Sequence, residues 1–326
     1  MTYRPLIHVY ALGGTIAMTP GSAGVQPTLT ANDLVSAVPA LAGVADIHTE
    51  TLFQMASANL TPRVIEDLCQ RAAGCGADGV LFTQGTDSIE ESAYLASLLY
   101  RGDIPLVFTA AMRSANLPGA DGPANLFDSI CVLKQQAGQG RRVSVVMNGQ
   151  IHDPVRVRKA HTSSVSAFVS EGGPVGTVVE GQVFENIRPA PFVLPDFAAL
   201  PKGPLPRIAI VTASLGDDAL LLDAAARLYD GLVIQAFGGG HVSELWADRL
   251  ADIAGQLPVV LSTRVEEGRI YESSYGYKGA EIDLIKKGLV PAKGLSALKA
   301  RLALCLVLAA DSSEWQQNFN QIAAAA

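Results

Sequence analysis

Three polar stretches of the chain carry side chains that could do chemistry together. Thr15 follows two glycines at the end of an apolar run, and Thr86 and Asp87 follow a second apolar run. Lys159 stands in a polar stretch farther along the chain. Because a threonine hydroxyl is a weak nucleophile, it needs a base or a positive neighbour to lose its proton. A lysine beside a carboxylate can relay that proton, or the carboxylate can instead hold the ammonium group of a substrate.

The elements predicted around these residues bring them to one edge of a sheet. Short apolar runs alternate with helical patterns of about 12 residues, which is typical of βαβ units and a parallel sheet. Thr15, Ser57 and the pair Thr86 and Asp87 each follow a predicted strand. The carboxyl ends of parallel strands share an edge, and ligands of open α/β sheets bind there. The sequence therefore predicts a site for a small molecule.

A proline-rich stretch divides the chain. Six prolines lie between positions 189 and 206, and the alternation of strands and helices resumes after them. This composition predicts a semi-rigid linker over 189–206. We therefore expect an N-terminal catalytic α/β domain over 1–188, with a mainly parallel sheet, and a smaller C-terminal α/β domain over 207–326, also with a parallel sheet.

Composition and charge restrict the class of partner. The chain has 326 residues, 49% of them hydrophobic, and a net charge of -7. It has no basic patch, which argues against nucleic acid and anionic membranes as partners. No apolar run is long enough for a membrane span, and few residues precede the first predicted strand, so we expect a cytoplasmic protein. The four cysteines form no CxxC pair and the histidines have no metal-site spacing, so neither set predicts a metal site.

Each motif also has a simpler interpretation. Two glycines before Thr15 are compatible with an ordinary turn. The stretch from Thr86 to Ser88 is compatible with a helix N-cap. Lys159 next to Arg158 is compatible with a solvated basic pair. The motifs in combination decide between the readings.

Four separated motifs, in this order along the chain, resemble the bacterial L-asparaginase family. They are the stretches 12–17 (LGGTIA), 84–93 (QGTDSIEESA), 111–113 (AMR) and 121–126 (DGPANL). The resemblance covers almost the whole chain, through 275–279 and the last predicted helix. It implies an amidohydrolase with two threonines in one pocket, acting on asparagine and in some members on glutamine, with no metal or organic cofactor.

The resemblance also implies a role for each motif residue. Thr15 would attack the side-chain amide carbon and form an acyl-enzyme, which water then hydrolyses to aspartate. Thr86, with Lys159 and Asp87, matches the second catalytic group, which activates the nucleophile or the water. Ser57 matches the position that binds the substrate's α-carboxylate, and Asp87 the position that binds its α-amino group. The predicted substrate-binding residues are Ser57, Ala58, Gly85, Thr86, Asp87 and Ala111.

The family completes its pocket with residues from a neighbouring subunit. The local equivalents are the stretches 240–241 and 272–275, and we take His241 and Ser273 as the candidate residues. A homodimer or homotetramer follows from this resemblance.

The sequence departs from the family pattern at several positions. The segment after Thr15 usually carries a tyrosine that contacts the nucleophile, but residues 18–30 contain none, so Thr19, Ser22 or a residue from elsewhere would have to replace it. Gln84 and Ser88 stand where the family more often has His and Thr, and Ala58 stands where a longer polar residue is common.

These departures leave alternatives open. One is an amidohydrolase for glutamine or another small amide, because one extra methylene changes binding by only about 1–3 kcal/mol. Another is a non-catalytic sensor that binds aspartate or asparagine, which the missing tyrosine favours. A nucleotide-binding dehydrogenase fits the α/β pattern, but no GxGxxG follows the first strand.

Overall fold

The structure is a computed structural model that describes residues 3–21, 24–140, 142–187, 200–310 and 313–326. The chain forms two compact units, Met1–Ala190 and Pro191–Ala326. Of the predicted linker, residues 189–199 lie outside the described part. No helix among the described residues is long and apolar enough to cross a membrane.

The first unit contains twelve strands and four α-helices within the described ranges. The strands are β1 (Leu6–Gly13), β2 (Met18–Gly21), β3 (Gly24–Pro27), β4 (Asp46–Met55), β5 (Gly79–Thr83), β6 (Pro105–Thr109), β7 (Arg142–Met147), β8 (Gln150–His152), β9 (Val157–Lys159), β10 (Phe168–Ser170), β11 (Gly176–Val179) and β12 (Gln182–Glu185). The helices are α1 (Ala31–Ser36), α2 (Pro62–Gly74), α3 (Ile89–Leu99) and α4 (Gly122–Gln136).

Eight of these strands form one mixed sheet in the order β12-β11-β8-β7-β6-β5-β1-β4. The neighbours from β4 to β7 pair in parallel, whereas β8, β11 and β12 add antiparallel strands at the other side. Strands β5 and β6 are buried along their whole length, as expected in the centre of a covered sheet. The prediction of a mainly parallel sheet is confirmed.

Capping residues fix where the helices of this unit begin. The Thr30 side chain accepts a hydrogen bond from the Asp33 backbone N–H, and the Asp33 carboxylate accepts one from the Thr30 backbone, which makes a capping box for α1. Thr61 caps α2, and Pro62 occupies its first position.

Two short antiparallel pairs lie outside the large sheet. Strands β9 and β10 form one pair, and β2 and β3 form the other. Residues 18–28 have almost no apolar anchor, a composition typical of a loop. The structure instead has the β2–β3 hairpin there, stabilised at its base by Thr19 and Thr28, whose hydroxyls lie 2.5 Å apart. Residues 22 and 23 between the two strands lie outside the described part.

The second unit is smaller and contains one parallel sheet in the order β13-β14-β15-β16. Its strands are β13 (Ile208–Thr212), β14 (Gly231–Ala236), β15 (Val259–Thr263) and β16 (Val290–Pro291). Its helices within the described residues are α5 (Leu220–Leu228), α6 (Glu244–Ala254), α7 (Glu281–Lys286), α8 (Ala297–Ala310) and α9 (Trp315–Ala323). The central strand β14 is almost entirely buried. This unit matches the predicted parallel-sheet α/β architecture.

Candidate active site

Two glycines bring the segments of Thr15 and Thr86 together. Thr15 opens a single 3₁₀ turn, Thr15–Ala17, directly after β1, and Thr86 follows the neighbouring strand β5. The preceding residues touch: a Cβ atom on Gly14 would lie 2.1 Å from the Gly85 backbone nitrogen. Gly14 also has a φ of 82°, a conformation that favours glycine. The two candidate threonines therefore sit on chain segments in direct contact.

Ser57 lies against the same glycine. It opens the turn Ser57–Asn59 after β4, and a Cβ atom on Gly85 would lie 2.7 Å from its Oγ. The Ser57 hydroxyl is buried and has no hydrogen-bond partner within the described ranges. The Ser88 hydroxyl donates a 2.8 Å hydrogen bond to the Ser57 carbonyl, which ties this turn to the start of α3. Ala58 lies in the same turn with its side chain exposed.

Lys159 is in contact with both Thr86 and Asp87. Its Nζ donates hydrogen bonds of 2.9 Å to Thr86 Oγ1 and 2.7 Å to Asp87 Oδ1. The Lys159 side chain is 18% exposed, whereas the Asp87 side chain is 74% exposed, so the carboxylate can take a second partner. A positively charged donor beside a hydroxyl oxygen stabilises negative charge on that oxygen. These contacts show that Lys159 is not merely a solvated neighbour of Arg158, and that Thr86 and Asp87 do more than precede a helix.

The side chain of the residue at the N-cap of α3 does not cap the helix. Its N-cap is Ser88, which makes no side-chain capping bond because its hydroxyl donates to the Ser57 carbonyl. Gln84 is fully buried, and its side-chain amide donates to the Gly85 carbonyl at 3.3 Å and to Ser92 Oγ at 3.2 Å. Gln84 therefore holds Gly85, the residue that contacts both Gly14 and Ser57. The sequence identified Gln84 only as a departure from the family, not as a support of the site.

Lys159 reaches the site from outside the large sheet. It ends β9, which among the described residues pairs with β10 alone. The far end of this pair is connected to the large sheet by His152, the last residue of β8, whose Nδ1 lies 2.9 Å from Ser170 Oγ. His152 is fully buried, and its burial lowers its pKa to about 4, so the imidazole is neutral in the folded protein near neutral pH.

Ala111 lies at the end of β6 in a loop that side chains hold firmly. The Asp121 carboxylate accepts the backbone N–H groups of Met112 at 2.9 Å and Arg113 at 2.8 Å. The Asn125 amide donates to the Ala110 carbonyl at 2.9 Å, and its oxygen accepts the Asn148 N–H at 2.8 Å. These contacts explain the DGPAN stretch at 121–125, which the sequence marked only as a motif.

The first turn of α4 also approaches the Thr15 turn. A Cβ atom on Gly122 would lie 3.0 Å from Ile16 Cγ1 and 3.5 Å from Ala111 Cβ. The structure therefore brings together the segments of Thr15, Ser57, Gly85, Thr86, Asp87, Ala111 and Lys159 in the first unit.

The two candidates for a neighbouring subunit's pocket belong to one cluster in the second unit. His241 Nε2 lies 3.2 Å from Glu281 Oε2, and Glu281 Oε1 accepts the N–H groups of Ser274 at 2.7 Å and Tyr275 at 2.6 Å. Ser273 is exposed in the same loop. Burial acts to raise the pKa of Glu281, but the backbone donors and His241 lower it below its usual value. The sequence missed Glu281, because nothing local marks it as a partner of His241.

The structure records no side-chain hydrogen bond between the Thr15 hydroxyl and the described residues of the hairpin. Thr19 bonds to Thr28, and Ser22 lies outside the described residues.

A cavity of about 740 Å³ in the second unit, lined by residues such as Arg207, Asp230 and Trp315, contains none of the predicted site residues.

Comparison with known proteins identifies the family. Residues 6–190 match the model of the asparaginase N-terminal domain, and residues 207–319 match that of the glutaminase/asparaginase C-terminal domain. The chain belongs to the asparaginase family. It is 36% identical to a probable L-asparaginase of Deinococcus radiodurans over 93% of this chain and 92% of that protein. It is 33% identical to L-asparaginase 2 of Escherichia coli over 97% and 93% of the two chains.

A solved structure of the asparaginase family has the same fold. The crystal structure of a probable cytoplasmic L-asparaginase from Campylobacter jejuni superposes with a TM-score of 0.82 at 28% identity, covering 97% of this chain and 99% of that one. As an asparaginase-family protein, the chain is an amidohydrolase. The structural and family assignments rest on separate comparisons and agree.

Proposed function

We propose that this protein is an L-asparaginase that hydrolyses L-asparagine to L-aspartate and ammonia. The observation that carries the proposal is the pair of contacts from Lys159 Nζ to Thr86 Oγ1 and Asp87 Oδ1. A non-catalytic sensor has no need of a lysine aimed at a threonine oxygen, whereas nucleophilic chemistry requires a group of this kind.

In the first step, Thr15 Oγ attacks the side-chain amide carbon of asparagine and loses its proton to the neighbouring polar groups. The C–N bond then breaks, and ammonia leaves with a proton, so that an aspartyl ester remains on Thr15. Water attacks this ester, aspartate leaves, and the threonine hydroxyl is restored. Thr86 takes part in proton transfer to or from the Thr15 hydroxyl and the attacking water. Lys159 stabilises negative charge on Thr86 Oγ1 during this transfer. General acid–base assistance of this type contributes about 10²–10⁴-fold.

The groups around these threonines suit an amino acid as substrate. The Ser57 hydroxyl has no partner among the described residues and can donate to the α-carboxylate. Asp87 keeps most of its carboxylate exposed and can accept from the α-ammonium group. Gly85, Ala58 and Ala111 supply backbone and small side chains around the ligand. Backbone N–H groups near Thr86 and Ala111 are the proposed donors to the oxyanion of the tetrahedral intermediate.

The same proposal includes a cytoplasmic homodimer or homotetramer in which His241 and Ser273 approach a neighbouring subunit's pocket. The Glu281 contacts support it, because they hold His241 and the loop around Ser273 in one arrangement before any partner binds. Three half-exposed tyrosines flank this cluster: Tyr271, Tyr275 and Tyr277.

Ammonia release from L-asparagine and L-glutamine tests the proposed function, with the wild type, Thr15→Ala and Thr86→Ala compared. We expect the wild type to prefer asparagine and both variants to lose most of their turnover. A preference for glutamine would change the substrate and keep the chemistry. A wild type that binds aspartate but releases ammonia from no amide would establish the sensor and reject the enzyme.

A further inference from the structure

Lys159 must be positioned by contacts other than those of the large sheet. Strand β9 has three residues, and within the described part of the chain it pairs with β10 and no other strand. A two-stranded pair of this kind is marginally stable in isolation. The His152 contact to Ser170 holds the end of the strand pair that is farther from Lys159, where Ser170 pairs with Val157. A separate contact is therefore needed at the end that carries Lys159.

Two contacts lie at this end: Asn148 Nδ2 donates to Ser166 Oγ at 2.9 Å, just before β10, and Glu90 contacts Lys159 itself. The backbone N–H of Lys159 donates to Glu90 Oε1 at 3.4 Å, and Glu90 is 9% exposed. This distance is long for a hydrogen bond to nitrogen, but the negative charge on the acceptor strengthens it. Strand β9 also packs on α3, the helix that contains Glu90.

One short segment thus holds Lys159 at both ends. Thr86 and Asp87 accept from its Nζ, and Glu90, three residues after Asp87, accepts from its backbone N–H. If the backbone of Lys159 moved away from α3, the Nζ would lose one or both of its partners. A misplacement of about 1 Å in such an arrangement can cost about a hundredfold in rate.

We propose that Glu90 is a positioning residue of the hydrolytic site, which keeps Lys159 within reach of Thr86 and Asp87 together. This inference rests on the proposed function, because it assigns Lys159 a role in turnover. Glu90 acts through Lys159 and touches no substrate.

A simpler role for Glu90 is to stabilise the first turn of α3 by its charge. Glu91 offers a control for this role, because it is the other acidic residue of that turn. The variants Glu90→Gln and Glu91→Gln each remove one negative charge and preserve side-chain shape. Glu90→Leu additionally removes the oxygen acceptor.

Steady-state kinetics with L-asparagine, a melting curve and titration with L-aspartate test the inference. We expect kcat to fall about tenfold in Glu90→Gln and further in Glu90→Leu, with KM and aspartate affinity within about twofold of the wild type. Glu91→Gln should keep its kcat. If Glu90→Leu fails to fold, Glu90→Ala, which also removes the oxygen acceptor, takes its place.

Two results overturn the inference. One is a folded Glu90→Leu variant, which lacks the acceptor, with wild-type kcat, and the other is an equal loss in Glu91→Gln, which would assign the effect to helix charge. Both are distinct from failure of the proposed function, in which the wild type itself hydrolyses no amide.

Discussion

Gly14 and Gly85 are packed backbone to backbone, with room for no Cβ atom between them. This contact sets the distance between the segments that carry Thr15 and Thr86. It also explains why a glycine is required before each threonine, since Gly85 in turn lies against the Ser57 hydroxyl.

Gly14→Ala should therefore separate the two threonine segments. The new Cβ atom would lie 2.1 Å from the Gly85 nitrogen, and neither backbone can move without shifting a candidate threonine. We expect a lower melting temperature and a fall in kcat of about a hundredfold or more. Gly76→Ala is the control, because Gly76 also has a positive φ but nothing within 4 Å of the added atom. An active, stable Gly14→Ala variant would show that the contact is unimportant.

Lys159→Met should abolish most turnover while the fold survives. The variant keeps the aliphatic stem but removes the donor to Thr86 Oγ1 and the ion pair with Asp87. We expect kcat to fall by about 10²–10⁴-fold. Lys134→Met, which removes an exposed lysine of α4, is the control. Near-normal kcat in Lys159→Met, measured by ammonia release, would remove Lys159 from the chemistry.

Ser57→Ala should weaken substrate binding without weakening the fold. A hydrogen bond to a charged group contributes about 1.5–3 kcal/mol, so we expect KM to rise about ten- to a hundredfold. The melting temperature should stay unchanged or rise, because the buried hydroxyl has no partner to lose among the described residues. Ser144→Ala removes another buried, unpartnered hydroxyl in β7 and should leave KM unchanged. Equal KM values for the two variants would contradict the role of Ser57.

Acid should weaken the first unit through His152. Its pKa is lowered to about 4 by burial, so between the usual value of 6.5 and about 4 the unfolded chain binds a proton that the folded chain does not. Stability therefore falls as the pH decreases through this window, by up to about 1.4 kcal/mol per pH unit. His152→Gln should flatten this dependence in urea unfolding, whereas substitution of the exposed His161 should not. An unchanged slope in His152→Gln would contradict the assignment.

The sequence predicted the position of a candidate residue best where that residue follows a strand directly. Thr15, Ser57 and Thr86 each come after a strand, and parallel pairing of β4, β1 and β5 was enough to predict that their segments meet. Ala111 was predicted through the family resemblance and lies beside the Thr15 turn through Gly122. Their catalytic and binding roles stay predictions.

Contacts between distant parts of the chain could not be derived in the same way. Lys159 lies 73 residues from Thr86 and arrives on a strand pair that no alternation of strands and helices predicts. The contact of Glu90 with a backbone N–H and that of Glu281 with His241 depend on how elements pack, which local periodicity does not contain. The β2–β3 hairpin was missed because its strands are rich in Gly and Pro, which disfavour strands.

The assignment of Thr15 as the nucleophile predicts where the covalent intermediate forms. The protein is quenched with acid during turnover of L-asparagine, and its peptides are analysed by mass spectrometry for an aspartyl ester. Thr86→Val is analysed in parallel, because slower attack by water on the ester should increase its amount. We predict the ester on the peptide that contains Thr15. An ester on the peptide that contains Thr86 in the wild type, with none at Thr15, would show that Thr15 is not the nucleophile.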